Sequence, residues 1–275
     1  MKRKYYIGVD LGGSKVSVGL VHCNGSVVRY KRKKFNNKND REILLIIESC
    51  IYSLMTKKVK SIGIGIPAIA TTVSDKFTSE YSPNLELLER MDIKEYFKKK
   101  FLKSVYLEND ANCFIIGEHK YGSAKGYSDC VGLTLGSGIG CGIIIGNKIR
   151  HGAYNQCGEI LDITTCDGIL EDTLSARFIS RNAGTSNAEE AAYLAQKGNK
   201  NAILSWKEYG KKLGWLISII KRVIDPEIFI LGGSISNSYN LFKNEMLKTA
   251  NNKTPKVISK LKEKAAIIGA AFLKK

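Results

Sequence analysis

The chain is poor in the residues that mark several large classes of protein. It has only four prolines and no low-complexity tract, and 44% of its residues are hydrophobic. That composition excludes a disordered or collagen-like chain. Its three histidines (His22, His119 and His151) are scattered. Its seven cysteines, at 23, 50, 113, 130, 141, 157 and 166, never approach a C-x-x-C spacing. No zinc or iron site can be read from such spacing, and the cysteines are expected as reduced core residues of a cytosolic protein. Long hydrophobic runs are lacking too. The uncharged stretch from Val131 to Gly146 is broken by alternating glycines and falls short of the ~20 residues of a membrane helix. The basic N-terminus reaches Asp10 after a few apolar residues, too few for a signal-peptide core. A cytoplasmic chain without a membrane partner is expected. Acidic residues are the scarcer sign, 26 against 43 basic, for a net charge of +17. Such a charge invites nucleic acid, but no aromatic ladder, helix-turn-helix or RNA-binding signature accompanies it. Lysines spread over helix faces, with one cluster at Lys31-Arg32-Lys33-Lys34, read as a solvated surface that also helps to collect an anionic nucleotide.

What the chain does have is a pattern written twice. Residues 7–14 read I-G-V-D-L-G-G-S and residues 131–138 read V-G-L-T-L-G-S-G, each flanked by apolar alternation. Physically this is strand, tight turn, strand, with glycine where the backbone takes φ > 0 or approaches a ligand. Amides in a glycine turn make a natural anion site, so phosphate is the first expectation. At 275 residues the chain is long enough for two cores.

Elements follow in a repeated order. Residues 5–30 read as three strands with turns at Gly12-Gly13 and Asn24-Gly25. A helical stripe behind an Asn/Asp cap covers 39–57, a strand 59–66, a polar amphipathic helix 85–100 and a short strand 105–107. In the second half two strands flank the 136–142 glycines. Helices are expected at 169–182, 188–198, 201–224, 239–250 and 263–273, with a strand at 228–231. Strands followed by helices, twice, predict an α/β fold with two lobes, residues 1–108 and 109–275. Functional loops then fall at the carboxyl ends of strands, where Asp10, Asp110, Gly136 and Gly232 stand.

Gly8-x4-Gly13-Ser14-Lys15 is a near miss for a Walker loop, with G-S-K in place of G-K-S and a strand where a helix should follow. A P-loop is rejected. Asp10, a carboxylate at a strand end beside such a turn, suits Mg²⁺ held through water.

Together these segments resemble the ROK (repressor/open reading frame/kinase) family of sugar kinases, within the actin/hexokinase/Hsp70 ATPase superfamily. The matching residues are D-L-G-G-S-K at 10–15, G-I-G-I-P at 63–67, S-P-N at 82–84 and L-E-N-D-A-N at 107–112. They continue with L-T-L-G-S-G-I-G-C-G at 133–142, C-G-E at 157–159, I-L-E at 169–171 and I-L-G-G-S-I-S at 230–236. The resemblance implies two ribonuclease-H-like lobes with an ATP and sugar cleft between them, the last helix packing back on the N-terminal lobe. It implies Asp110 as the general base of an ATP- and Mg²⁺-dependent kinase acting on the 6-hydroxyl of a hexose or N-acyl hexosamine, of glucose or N-acetylmannosamine type. Asn84, Asn109, Glu159 and Glu171 match sugar-gripping positions. Gly12, Gly13, Ser14 and Lys15, with Gly136, Ser137, Gly138 and Gly140, match the phosphate loops, and Gly232 and Gly233 the adenosine loop. A homodimer is also implied.

The chain departs from the family at the segment where many members carry G-E-x-G-H and a cysteine-rich zinc loop. Here Asp162 replaces the histidine and only Cys166 remains, too few ligands for structural zinc. No zinc site is expected, and Asp162 is a candidate specificity residue facing the sugar. With Asp10 nine residues after Met1, no DNA-binding domain is expected. Two competitors stand beside the kinase. One is a non-catalytic sugar or nucleotide sensor on a degenerate kinase fold. The other, an Hsp70-like ATPase without a sugar, conflicts with E-N-D-A-N.

Overall fold

The computed structural model describes residues 4–35, 40–67, 69–70, 77–78 and 92–273. In chain order the first elements are β1 (Tyr5–Leu11), β2 (Lys15–His22), β3 (Val27–Lys34), α1 (Asp40–Leu54) and β4 (Val59–Ile66). A two-residue pair follows, β5 (Ile69–Ala70) with β6 (Phe77–Thr78), then α2 (Ile93–Phe101), β7 (Ser104–Asn109) and α3 (Asp110–Tyr121). The second half holds β8 (Cys130–Leu135), β9 (Ile139–Ile145), β10 (Lys148–Ile149), β11 (Thr164–Thr165) and β12 (Gly168–Ile169). After these come α4 (Leu170–Leu174), α5 (Ala176–Ala183), α6 (Ala188–Gln196), α7 (Lys200–Ile224), β13 (Ile228–Gly232), α8 (Tyr239–Ala250), β14 (Lys256–Ile258) and α9 (Ala265–Ala271).

The fold is α/β with two five-stranded mixed sheets, ordered β3-β2-β1-β4-β7 and β10-β9-β8-β13-β14. Each opens with an antiparallel hairpin, β1 on β2 and β8 on β9, and continues in parallel through β4 and β7 or β13 and β14. The duplicated sequence pattern is therefore a duplicated topology. By contacts, one compact unit is 1–126 with 149–157 and 260–275; the other is 127–148 with 158–259.

In the first unit the alternation of β1, β2 and β4 buries Ile7, Val9, Leu11, Val16, Val18, Ile62 and Ile64 in one cluster. The stripe of α1 (Ile43, Ile47, Ile51, Leu54) and Phe97 of α2 close it. Each such side chain contributes roughly 1.5–3 kcal/mol on burial. The helix expected over 85–100 begins, within the described residues, at Asp92, whose side chain caps Glu95 N–H at 2.8 Å. Residues 85–91 lie outside those described.

The terminal helix α9 packs on β1, β4 and α3. Its approach needs glycine on both sides. A Cβ on Gly8 would lie 1.9 Å from the carbonyl oxygen of Ile267, one on Gly63 1.7 Å from that of Ala270, and one on Gly269 1.7 Å from that of Cys113. Gly8, the first glycine of the rejected Walker-like pattern, is a packing residue.

Candidate active site

The first unit brings Asp10 and Asp110 together through register. Asp10 pairs with Ser17 on one side and Gly65 on the other, and Gly65 pairs with Glu108. The first turns of α3 pack over β4 at Gly65, where a Cβ would lie 3.1 Å from Cys113 Sγ and in ordinary contact, at 3.5 Å, with the Cα of Asp110. The cap of α3 is Asn109, whose Oδ1 accepts from the N–H groups of Ala111 at 2.8 Å and Asn112 at 3.1 Å. Asp110 is the first residue inside the helix. Its carboxylate accepts from Ala111 N–H at 2.8 Å.

Both carboxylates are partly buried. Burial raises Asp110 to about 6, against the pull of the backbone amides of Ala111 and Asp110. Burial and then the charge of Asp110 raise Asp10 to about 7, while Lys15 and Arg32 pull the other way. Asp10, a hard-oxygen donor crowded by a second carboxylate, is the group a hard divalent cation held through water would relieve. The residues present therefore fit Mg²⁺.

This crowding sets a pH dependence. A carboxylate whose pKa is raised on folding stabilises the fold below its unfolded pKa and loses that contribution as pH rises through the folded value. Between about pH 4 and 7 the metal-free protein should lose stability from these two groups. In urea unfolding Asp10→Asn is expected to gain on wild type as pH rises, its advantage growing by about 2 kcal/mol from pH 4.5 to pH 8. A variant equally destabilised at both pH values would contradict the crowding.

Glycine at the first turn serves space. Gly12 N–H donates to the Lys15 carbonyl at 2.9 Å, and Ser14 and Lys15 complete the turn. A Cβ added to Gly13 would meet no protein atom within 4 Å. The expectation of φ > 0 does not hold at Gly12, Gly13, Gly136 or Gly138. What their lack of Cβ leaves at Gly13 is bare backbone open to a ligand, which fits a phosphate.

In the second unit Gly136 N–H donates to the Gly138 carbonyl at 3.0 Å, and the Gly136 carbonyl accepts from Ala176 N–H at 2.8 Å. Ser137 is the exposed tip, and Gly140 lies in β9 opposite Thr134. Gly232 ends β13. Gly233 takes φ 81°, and its missing Cβ would strike the Leu135 carbonyl at 2.1 Å, so the phosphate-type turn and the adenosine-type turn adjoin. Gly158 likewise packs on Cys141, a Cβ there lying 2.3 Å from its carbonyl oxygen, which fixes where partly buried Glu159 begins. The β11–β12 hairpin returns the chain so that Glu171 N–H donates to the Leu161 carbonyl at 2.9 Å.

Glu171 was expected on the sugar and Gly138 on phosphate, yet the two meet. A Cβ on Gly138 would lie 2.0 Å from the Glu171 carboxylate. Burial and Asp172 raise Glu171, against Arg177. Asp162 is exposed. Among the described residues no group of three or more His, Cys, Asp or Glu side chains could hold a metal, and no helix is long and apolar enough to cross a membrane. Asn84 lies outside the described residues.

Two residues escaped the sequence reading. Glu108 accepts from Asn109 N–H at 2.9 Å and from the Asn112 side-chain amide at 3.0 Å, and its other oxygen meets His151 Nε2 at 2.8 Å. Glu108 stood in the quoted E-N-D-A-N stretch without a role. His151 carried no spacing signal at all.

Comparison with known proteins gives the family and the fold. Glucokinase of Thermotoga maritima is 29% identical over 99% of this chain and 98% of its own length. The xylose repressor of Caldicellulosiruptor bescii is 27% identical over 96% of this chain and 76% of its own. In structure, the chain superposes on a ROK family glucokinase from Streptomyces griseus, solved with glucose and AMPPNP, with a TM-score of 0.86 and 24% identity over 97% and 98% of the two chains. The ROK family model matches residues 6–275, and the chain belongs to the ROK family.

Proposed function

We propose that this chain is an ATP-dependent sugar kinase that phosphorylates the 6-hydroxyl of a hexose or N-acyl hexosamine. The observation that carries the reading is the Asp110 carboxylate, partly buried at the start of α3 beside Asp10, with a pKa near 6. A base poised just below neutral pH is ionised when needed and still accepts a proton readily. Asp110 takes the proton of the 6-hydroxyl as that oxygen attacks the γ-phosphorus. The new O–P bond forms, the bond to the β-phosphate oxygen breaks, and ADP leaves. Asp10 is the residue that would hold Mg²⁺ through water, and the ion would supply neutralisation of phosphate charge. Amides of the 12–15 and 136–140 turns, with Lys15, serve the phosphates, and Gly232-Gly233 the adenosine. Asn84, Asn109, Glu159, Asp162 and Glu171 serve the sugar hydroxyls. The Oδ1 of Asn109 is already engaged by the cap.

The rival is a sugar sensor without catalysis, favoured by the altered 158–171 segment and by the repressors among the relatives. ADP release with Mg-ATP across glucose, mannose, fructose, glucosamine, N-acetylglucosamine and N-acetylmannosamine separates them. One or two sugars are expected to raise ADP release at least ~10-fold over the sugar-free rate, since general-base catalysis alone contributes that much or more. Sugar binding with no ADP release would leave the sensor.

A further inference from the structure

We infer that Glu108 and His151 form a clasp that positions Asp110. Glu108 uses its two oxygens differently. Oε1 takes the Asn109 N–H and the Asn112 side-chain amide, at 2.9 and 3.0 Å, and so ties the end of β7 to the first turn of α3. Oε2 takes His151 Nε2 at 2.8 Å. The Glu108 side chain is 13% exposed and that of His151 41%. A partly desolvated carboxylate that bonds three donors across two segments has little freedom to turn, because every rotation gives up a charge-assisted bond.

Asp110 stands inside the turn that this carboxylate ties down, between Asn109 and Asn112. Its carboxylate accepts from its own amide and from the neighbouring Ala111 N–H, so its aim depends on the backbone of that turn. His151 is itself held. Its carbonyl accepts from Cys157 N–H at 3.0 Å and closes the 151–157 loop, where Gly152 takes φ 76° and Asn155 φ 58°. The ring is thus presented from a closed loop. Its bond to Glu108 raises its pKa and favours the charged, doubly donating form. Second-layer partners of this kind hold a reacting group in its productive geometry.

The inference rests on the reading of Asp110 as the base, and the test separates the two. His151→Ala removes an accessible ring and should leave the fold intact. If Asp110 is the base, kcat falls roughly 10-fold while the ATP KM stays within about 2-fold, the range seen when a positioning partner is lost. His151→Gln, whose amide can still donate to Glu108, recovers kcat to within about 3-fold of wild type. Hydrogen exchange is measured in parallel without substrate. His151→Ala should speed exchange of the 110–113 amides about 5-fold or more, while α1 is unchanged. Unchanged kcat, or a loss that Gln does not relieve, overturns the clasp. If wild type turns over no sugar, the kinase reading fails and exchange alone decides. Faster exchange at 110–113 upholds the clasp, and unchanged exchange overturns it.

Discussion

Asp110→Asn is expected to lower kcat by about 10²–10⁴ while the protein stays folded. The two halves of that expectation have separate causes. Activity falls because an amide cannot take the proton of the attacking hydroxyl. The fold survives because the cap belongs to Asn109, and the Ala111 N–H bond to the Asp110 side chain reaches Oδ1, which an amide oxygen replaces. Removing a carboxylate that burial raises to about 6 also relieves a cost above that pH, so the melting temperature at pH 8 should hold or rise. In wild type, kcat/KM should fall about tenfold per pH unit below about 6, as the base is protonated; the residual rate of the variant should lack that limb. Steady-state rates from pH 5 to 8 beside thermal melts read both halves. Wild-type turnover in Asp110→Asn would remove the base from the mechanism.

Gly63→Ala and Gly13→Ala should fail in opposite ways, although each adds one methyl group at a glycine of the same unit. At Gly63 the new Cβ would lie 1.7 Å from the Ala270 carbonyl oxygen. Neither the central strand β4 nor α9 can yield cheaply, and overpacking of backbone against backbone should cost ~3 kcal/mol or more. That corresponds to a fall in melting temperature of roughly 6–12 °C. At Gly13 the same methyl meets nothing within 4 Å, so the melting temperature should stay within about 2 °C, as for most surface changes. If bare backbone there receives phosphate, the ATP KM should rise by about 10-fold, the scale of one lost or strained charge-assisted hydrogen bond. Melts and ATP titrations on the two variants give four numbers. Equal stability losses, or an ATP KM unmoved in Gly13→Ala, would contradict the division of labour between the glycines.

The glycines also show where sequence reading stopped. Strand β4, helices α1, α7 and α8 and the duplicated hairpins were legible because local alternation and 3.6-residue stripes report burial directly. The two lobes followed from the order of those elements. The duties of Gly8, Gly63 and Gly269 were not legible, because close approach to α9 joins residues far apart in sequence, Gly8 with Ile267, Gly63 with Ala270 and Cys113 with Gly269, and no local pattern encodes it. For the same reason Asp110 could be found by its motif while its neighbours could not. That Asn109 is the cap depends on side-chain rotation. Glu108 was one more acid at a strand end, and His151 lies 43 residues from the carboxylate it holds. Glu171 and Gly138 were assigned to different ligands because nothing in their spacing shows that a two-strand hairpin folds one against the other.

The account stands or falls on phosphoryl transfer to a sugar. The direct measurement is the stoichiometry and position of transfer: ADP formed per sugar phosphate formed, with the ester located by ³¹P and ¹³C NMR, for the sugar that responds best. One 6-phosphate per ADP, with no ADP in the absence of sugar, is the predicted result. ADP released without sugar would mean an ATPase, and sugar bound without any phosphate ester would mean a sensor; either would contradict the kinase.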